Sequence, residues 1–321
     1  MDNSQLPPTP GNWLLGYDSA TNGGILPRFW PDPMDDSFRL KVTFWGVRGS
    51  IPTPEADHLK YGGNTACVEV RMPGGEIFIL DGGTGIRALG SALETEFKDQ
   101  NLALSVFLTH FHWDHIQGIP FFDPLYSTGN RIDFYAVEPK NSISYRRHEA
   151  ESRLEEILKL QMESPYFPIR FDELSAAKQF HEIQTKPLQF GNLEIRPFPL
   201  NHPGGACGYR LESAEAVMVY ATDLEHGDKN LDKLLRELSE GADLLIFDSH
   251  FTPEDYKRHP GWGHSTWVEA CAVARDAKVK QLALFHHNPF YNDEVFDGIV
   301  EQSRRKFEHT IGAAEGTSVI L

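Results

Sequence analysis

Short apolar runs, broken by glycine, proline and asparagine, set the pattern of residues 39–321. Residues 39–45, R-L-K-V-T-F-W, alternate polar and apolar positions, which predicts a strand with one buried face. Residues 66–71 and 76–80 read as strands on either side of the Pro73-Gly74-Gly75 turn. Further strands are predicted over 104–108, 131–137, 193–200, 207–211, 216–221, 243–247 and 280–285, with a short last one at 317–321. Between them the spacing changes to that of helices. Ile86, Leu89, Leu93 and Phe97 predict a helix over 86–97, and Leu231, Leu234, Leu235 and Leu238 another over 228–239. Helices are also predicted over 144–162, from about 265 to 277 with Ser265 or Thr266 as N-cap, and over 292–307. Strands interleaved with helices place the chain in the α/β class.

Two stretches depart from this pattern. Residues 1–38 are rich in Pro, Gly, Asn and Asp, with Trp13, Phe29 and Trp30 interspersed, and read as an irregular extension that packs on the body or a partner subunit. Residues 138–185 read as a helical and loop insertion suited to a lid or a dimer contact. Its charged helix presents a solvated face, and irregular chain is expected from Ser164 to Phe180. Within it Tyr166 and Phe167 read first as packing residues and second as a base-stacking pair.

Composition narrows the setting. The chain has 321 residues, 40% of them hydrophobic, so residues 39–321 suffice for one large domain. It contains no apolar run of about 18 residues, and the N-terminus lacks the basic and apolar regions of a signal peptide. Cys67, Cys207 and Cys271 are few and widely spaced, which predicts a reducing, cytoplasmic setting without a disulfide framework. The formal net charge of −16 opposes binding to a long polyphosphate backbone, so a large nucleic-acid partner is not expected.

The chemistry concentrates at residues 107–119, F-L-T-H-F-H-W-D-H-I-Q-G-I. An apolar strand runs into His110, His112, Asp114 and His115. On a continuing strand His110 and His112 share a face, and the turn after them carries Asp114 and His115 to a second centre. Imidazole suits zinc, and carboxylate suits zinc or a harder ion such as manganese, so the spacing points to two adjacent divalent cations.

H-F-H-W-D-H resembles the H-x-H-x-D-H signature of the metallo-β-lactamase superfamily, and the later landmarks follow in that family's order. The resemblance covers residues from about 39 to the C-terminus and implies an αββα sandwich of two mixed sheets flanked by helices. It implies one metal held by His110, His112 and His202, and another by Asp114, His115 and one of His286 and His287. His286 is favoured because it comes first after the apolar strand. Asp223 bridges the two, and Asp81 is the buried carboxylate that fixes the metal loop. A pair of ions about 4 Å apart lowers the pKa of a shared water, which Asp114 helps to orient.

A second element, Gly263-His264-Ser265-Thr266, resembles the G-H-S-T motif of ribonuclease Z-like phosphodiesterases. Their H-E-A-T motif corresponds here to Phe247-Asp248-Ser249-His250, with Asp in place of Glu and Phe in place of the first His. Carried over, Asp248 orients His264, which stabilises a phosphoryl oxygen or protonates the leaving oxygen. The remaining histidines read as surface or packing residues, with His250 and His259 the exceptions that flank the site.

The leading expectation is a dinuclear phosphodiesterase acting on a small cyclic phosphodiester, most plausibly a 3′,5′-cyclic nucleotide, by hydroxide attack on phosphorus. Similar motifs occur in cyclic-nucleotide phosphodiesterases of the anti-Pycsar type, and the family commonly forms homodimers. Two alternatives stay open, a ribonuclease Z-like endoribonuclease and a hydrolase of another ester class such as a lactonase. Ribonuclease Z carries a long tRNA-binding arm where this chain has only residues 203–222 between His202 and Asp223. A phosphoribosyl cyclic phosphodiesterase is disfavoured because it usually has an extra cysteine-bearing zinc site.

Overall fold

The computed structural model describes residues 39–137 and 152–321. Two seven-stranded sheets make up its centre. In the N-terminal half, β1 (Lys41–Gly46), β2 (Cys67–Arg71) and β3 (Ile77–Leu80) precede helix α1 (Gly85–Glu96). Then come β4 (Ala103–Leu108), the one-turn helix α2 (Trp113–Ile116), β5 (Arg131–Val137), α3 (Arg153–Leu160) and β6 (Ala177–Ile183). The second half opens with β7 (Leu188–Phe190), β8 (Leu193–Leu200), β9 (Ala206–Glu212) and β10 (Val217–Ala221). It continues through α4 (Lys229–Ser239), β11 (Leu244–Asp248), α5 (Pro253–Tyr256), α6 (Trp267–Asp276), β12 (Gln281–Phe285), α7 (Asp293–Lys306), β13 (Thr310–Gly312) and β14 (Ser318–Ile320).

The strand orders are β14-β1-β2-β3-β4-β5-β6 and β13-β12-β11-β10-β9-β8-β7. Antiparallel pairs lie on one side of each sheet and parallel pairs on the other: β3 to β6 run parallel in the first sheet, β10 to β13 in the second. Parallel neighbours need a crossover, supplied by α1 between β3 and β4, α4 between β10 and β11, and α6 between β11 and β12.

Period-two alternation explains why the strands are apolar throughout. Phe78 and Leu80 of β3 join the core between the sheets, while Ile77 and Ile79 join the layer that includes Ile86 and Leu89 of α1. On the other side Leu244 and Ile246 of β11 face the central core, and Leu245 and Phe247 join the layer with Ala270 and Ala274 of α6. Both faces of these strands are buried, so a continuous apolar run is what the architecture needs. Burying a side chain such as Phe107 in this way contributes about 2–3 kcal/mol. The architecture is the metallo-β-lactamase αββα sandwich, two mixed sheets with helices outside.

Several local features differ from the sequence reading, among them the short elements β7, α5 and β13, which it did not predict. Irregular chain was expected up to Phe180, yet residues 177–183 form β6, paired parallel with β5 over seven positions. It is an edge strand with most of its side chains exposed or half-buried, so it carries little hydrophobic pattern. Of the helix expected over 144–162, the described part is Arg153–Leu160, capped by the Ser152 side chain, which accepts from the Glu155 N–H. The readings for residues 1–38 and 138–151 lie outside the described residues. Cys67, Cys207 and Cys271 are free and buried.

Candidate metal centre

Apart from His112, which precedes α2, and Asp114 and His115 within it, the candidate ligands follow the C-terminal ends of strands: His110 follows β4, His202 follows β8, Asp223 follows β10, and His286 follows β12. The supporting carboxylate Asp81 follows β3 in the same way. In parallel sheets such ends gather along one edge, where chains diverge and a site can open. Three of these residues have left-handed backbones, Asp81 at φ 64°, Asp223 at φ 58° and His286 at φ 58°. Non-glycine residues rarely adopt this region, and such strain concentrates at functional sites.

Asp81 organises the near side. Its buried carboxylate accepts from the Thr109 N–H at 2.8 Å, from the Thr109 hydroxyl at 3.0 Å, from His115 Nδ1 at 2.8 Å and from the Tyr220 hydroxyl at 2.9 Å. With its hydrogen given to Asp81, the Thr109 hydroxyl accepts from His110 Nδ1 at 3.0 Å. His202 Nδ1 donates to the Gly263 carbonyl at 2.9 Å. In the neutral rings of His110, His115 and His202 the Nδ1 proton is therefore occupied, which leaves the Nε2 lone pair free to face the centre.

Four overlapping groups of donors result among the described residues, and two of them consist of the expected ligands. His110, His112 and His202 bring one nitrogen each within 4.8 Å of one another, and Asp114, His115, Asp223 and His286 do the same with one atom each. Asp223 lies between them: its Oδ1 is 3.9 Å from His110 Nε2, and its Oδ2 is 3.1 Å from His115 Nε2 and 3.3 Å from His286 Nε2. Asp114 Oδ2 is 3.2 Å from His286 Nε2 and accepts from the Ser50 N–H at 2.7 Å. His287 is turned away. Its Nε2 donates to the Leu284 carbonyl at 3.0 Å, and its ring packs 3.8 Å from that of Phe296.

The donor set fits divalent cations on two grounds. His110 Nε2 is buried without any hydrogen-bond partner, an arrangement that costs stability unless something else occupies its lone pair. Asp81, Asp114, Asp223 and Asp248 are all buried, and among the described residues their ion pairs are with imidazoles alone, never with Lys or Arg. Buried carboxylates need a cation. Burial opposes charge on His115, yet Asp223, Asp81 and Asp114 push its pKa well above the ordinary value. Burial likewise opposes charge on Asp114, but His115 and His286 hold its carboxyl well below the usual range.

His264 and Asp248 form the adjoining element. Asp248 Oδ2 accepts from His264 Nδ1 at 2.9 Å and from the Asp223 N–H at 3.1 Å. Its Oδ1 accepts from the N–H groups of His250 at 3.0 Å and Ser265 at 3.1 Å. Burial disfavours a charged His264, but the Asp248 carboxylate outweighs it, and the imidazole pKa rises to about 9. His250 stacks on His264 at 4.3 Å and donates from Nδ1 to the His286 carbonyl at 3.1 Å. Burial, with His264 and His286 beside it, pushes the His250 pKa well down, so this ring stays neutral. Thr266, rather than Ser265, caps α6 by accepting from the Glu269 N–H at 3.2 Å.

Four supporting residues escaped the sequence reading. Thr109 and Tyr220 hold Asp81, and Ser50 offers only its backbone. Arg48 is fully buried and donates from Nε to the Gly62 carbonyl at 2.8 Å and from Nη1 to the Tyr291 carbonyl at 2.8 Å, tying the 46–65 loops to the chain after His287. The available signal for Arg48 was a single arginine among glycines in an acidic chain. A Cβ on Gly49 would stand 2.3 Å from the His286 ring, so that glycine is needed for close approach. His259 stacks on Phe251 at 5.0 Å, and Phe167 packs edge-on against Phe121 at 5.6 Å while Tyr166 stays exposed.

Comparison with known proteins agrees with this geometry. Ribonuclease Z of Haloarcula marismortui is 24% identical over 86% of this chain and 94% of its own length. Among solved structures, the metallo-β-lactamase fold protein YhfI from Bacillus subtilis superposes with a TM-score of 0.64 at 20% identity, covering 88% of this chain and 99% of YhfI. A diphosphatase from the PhnP family superposes with a TM-score of 0.61 at 20% identity, covering 88% and 98%. At these identities the superpositions speak for the fold. No helix among the described residues is long and apolar enough to cross a membrane. The model of the family described as the beta-lactamase superfamily domain matches residues 78–287, the span from β3 to the last histidine pair; this chain belongs to that superfamily and is a metal-dependent hydrolase.

Proposed function

We propose that this protein is a phosphodiesterase that works with two divalent cations, zinc or manganese, on a small cyclic phosphodiester, a 3′,5′-cyclic nucleotide. His110, His112 and His202 would hold one cation, and Asp114, His115 and His286 the other, with Asp223 shared. Bound cations supply Lewis-acid charge and lower the pKa of water at such a site.

The observation that carries the phosphodiester reading is the buried Asp248–His264 pair, 2.9 Å apart and outside the ligand set just named. In the metal-free protein the Asp248 carboxylate raises the His264 pKa to about 9, which favours the imidazolium. His264 can balance charge on a phosphoryl oxygen or pass its Nε2 proton to the departing ribose oxygen. Asp248 positions the ring through Nδ1 and stabilises its charge. Asp114, which accepts from the Ser50 N–H, would also help to orient the attacking water.

A second reading is a ribonuclease Z-like endoribonuclease, favoured by the names of the relatives. Two features favour the small substrate instead. The net charge is −16, and residues 203–222 hold only β9, β10 and their connections. A substrate panel separates them: 3′,5′-cyclic nucleotides, bis-p-nitrophenyl phosphate, precursor tRNA and a lactone. Turnover of cyclic nucleotides, lost by roughly two to four orders of magnitude in a metal-replete His264→Ala protein, is expected. Cleavage of precursor tRNA with inert cyclic nucleotides would move the assignment to the ribonuclease. Lactone hydrolysis alone would remove it from phosphodiesters altogether.

A further inference from the structure

Two tryptophans remain in water beside the centre. Trp113 is 78% exposed and Trp262 61% exposed, an unusual fate for the largest aromatic side chain. Trp113 opens α2 between His112 and Asp114. Trp262 stands between Gly261 at φ 84° and Gly263 at φ 83°.

Both attach to residues that touch the same imidazole. His112 Nδ1 lies 3.1 Å from His202 Nε2, and the Gly263 carbonyl accepts from His202 Nδ1 at 2.9 Å. A Cβ on Gly263 would come within 2.3 Å of that ring, so the loop carrying Trp262 is pressed directly onto the candidate ligand.

The Trp262 indole does not hang on a loose segment. Glu225 accepts from the N–H groups of Gly261 at 2.8 Å and Gly263 at 3.0 Å, so one carboxylate holds the backbone on both sides of Trp262. The Tyr256 hydroxyl donates to the same carboxylate at 2.8 Å. The indole rests edge-on against His259 at 4.5 Å, and His259 in turn stacks on Phe251. Trp113 shares its backbone with the buried turn that carries Asp114 and His115. Rigid, exposed aromatic faces cost little further ordering when something flat lands on them.

We infer that Trp113 and Trp262 form an aromatic platform at the mouth of the centre, and that its occupant is the base of a nucleotide substrate. The charge pattern selects this occupant. The buried carboxylates of the centre pair with imidazoles and not with Lys or Arg, in a chain of net charge −16, which favours recognition that does not rest on opposite charge. Stacking on an indole is neutral, and it tolerates any base because every base has a π-face. The phosphodiester part of the inference rests on the function proposed above; the platform itself does not.

The test uses full-length, metal-loaded protein, with Trp113→Ala, Trp262→Ala and the conservative Trp→Phe variants. The preference for a 3′,5′-cyclic nucleotide over base-free ribose 3,5-cyclic phosphate, as the ratio of kcat/KM, is expected to fall about tenfold in each Ala variant, mainly through KM. The Phe variants should recover most of it. A ratio unmoved by both Ala substitutions would overturn the platform. So would dissociation of a dimer by these substitutions with nucleotide KM unchanged, since the indoles would then serve a second copy of the chain. Tryptophan fluorescence keeps the two readings apart: a nucleoside monophosphate should quench it, ribose 5-phosphate should not, and the Ala variants should lose the response. If no phosphodiester is turned over but this selective quenching is present, the reaction falls and the platform stands.

Discussion

Replacing Asp248 with Asn keeps the shape of a buried side chain and removes its charge. The carboxylate accepts four hydrogen bonds, from the N–H groups of Asp223, His250 and Ser265 and from His264 Nδ1. An amide has one oxygen, so whichever way it turns, two of the four donors lose their acceptor. At about 1.5 kcal/mol or more for each bond to a charged group, the variant should lose roughly 3 kcal/mol of stability. The pH dependence is more specific. In metal-free wild type the pKa of His264 is raised from 6.5 to about 9, so its stabilisation is complete below pH 6.5 and lost as pH rises through 9. Those 2.5 units correspond to about 3 kcal/mol. In Asp248→Asn burial acts without its main opponent, and the His264 pKa should drop below its ordinary value. The sign then reverses, and stability gained from this group appears as pH rises toward 6.5. Urea titrations of both metal-free proteins at half-unit steps from pH 5.5 to 9.5 should show the difference between the two curves shrinking steadily above pH 6.5. With metal bound, the cations lower the imidazole pKa in both proteins, but kcat/KM of the variant should fall tenfold to a hundredfold at pH 7 and lose its alkaline limb to lower pH. Parallel stability curves and an unmoved pH–rate profile would refute the claim that Asp248 sets the charge of His264.

The last histidine pair offers a second test: His286→Ala should lower the metal content measured by mass spectrometry by about one equivalent. His287→Ala should leave metal in place and cost about 2–4 kcal/mol in denaturant, from the cavity beside Phe296; the reverse result moves the ligand along the chain by one residue. Gly49→Ala drives a methyl group into the His286 ring, so it should reproduce the metal loss of His286→Ala without touching any ligand; full metal occupancy in that variant would show that the loop yields freely. Asp223→Ala removes the carboxylate between both groups of donors and should deplete both metals, which calorimetric zinc titration would register as weakened binding at two sites rather than one.

The chain's own pattern determined a good deal of this molecule. Period-two and helical spacings placed most elements to within a residue or two, because strands buried on both faces and helices on a sheet have strong signatures. The candidate ligands of residues 110–115 were legible because four of them lie in six consecutive positions, a local fact. Tertiary structure decided the rest. His286 and His287 are neighbours with the same chemistry, and what separates them is one backbone angle: φ of 58° at His286 breaks the alternation of β12 and turns its ring into the centre while His287 enters the core against Phe296. Asp248 meets His264 sixteen residues later because β11 and the loop before α6 end at the same sheet edge. Thr109 and Tyr220 showed no sign of their roles, and Arg48 only that of a lone arginine among glycines, since a hydrogen bond to a buried carboxylate or carbonyl depends on strand register and loop packing that no local pattern encodes. β6 escaped notice because an edge strand buries too little of itself to require an apolar face. Periodicity records which face of an element leaves water; where a single side chain points, and what it meets there, follows from strained backbone and long-range packing that exist only once the sheets have come together.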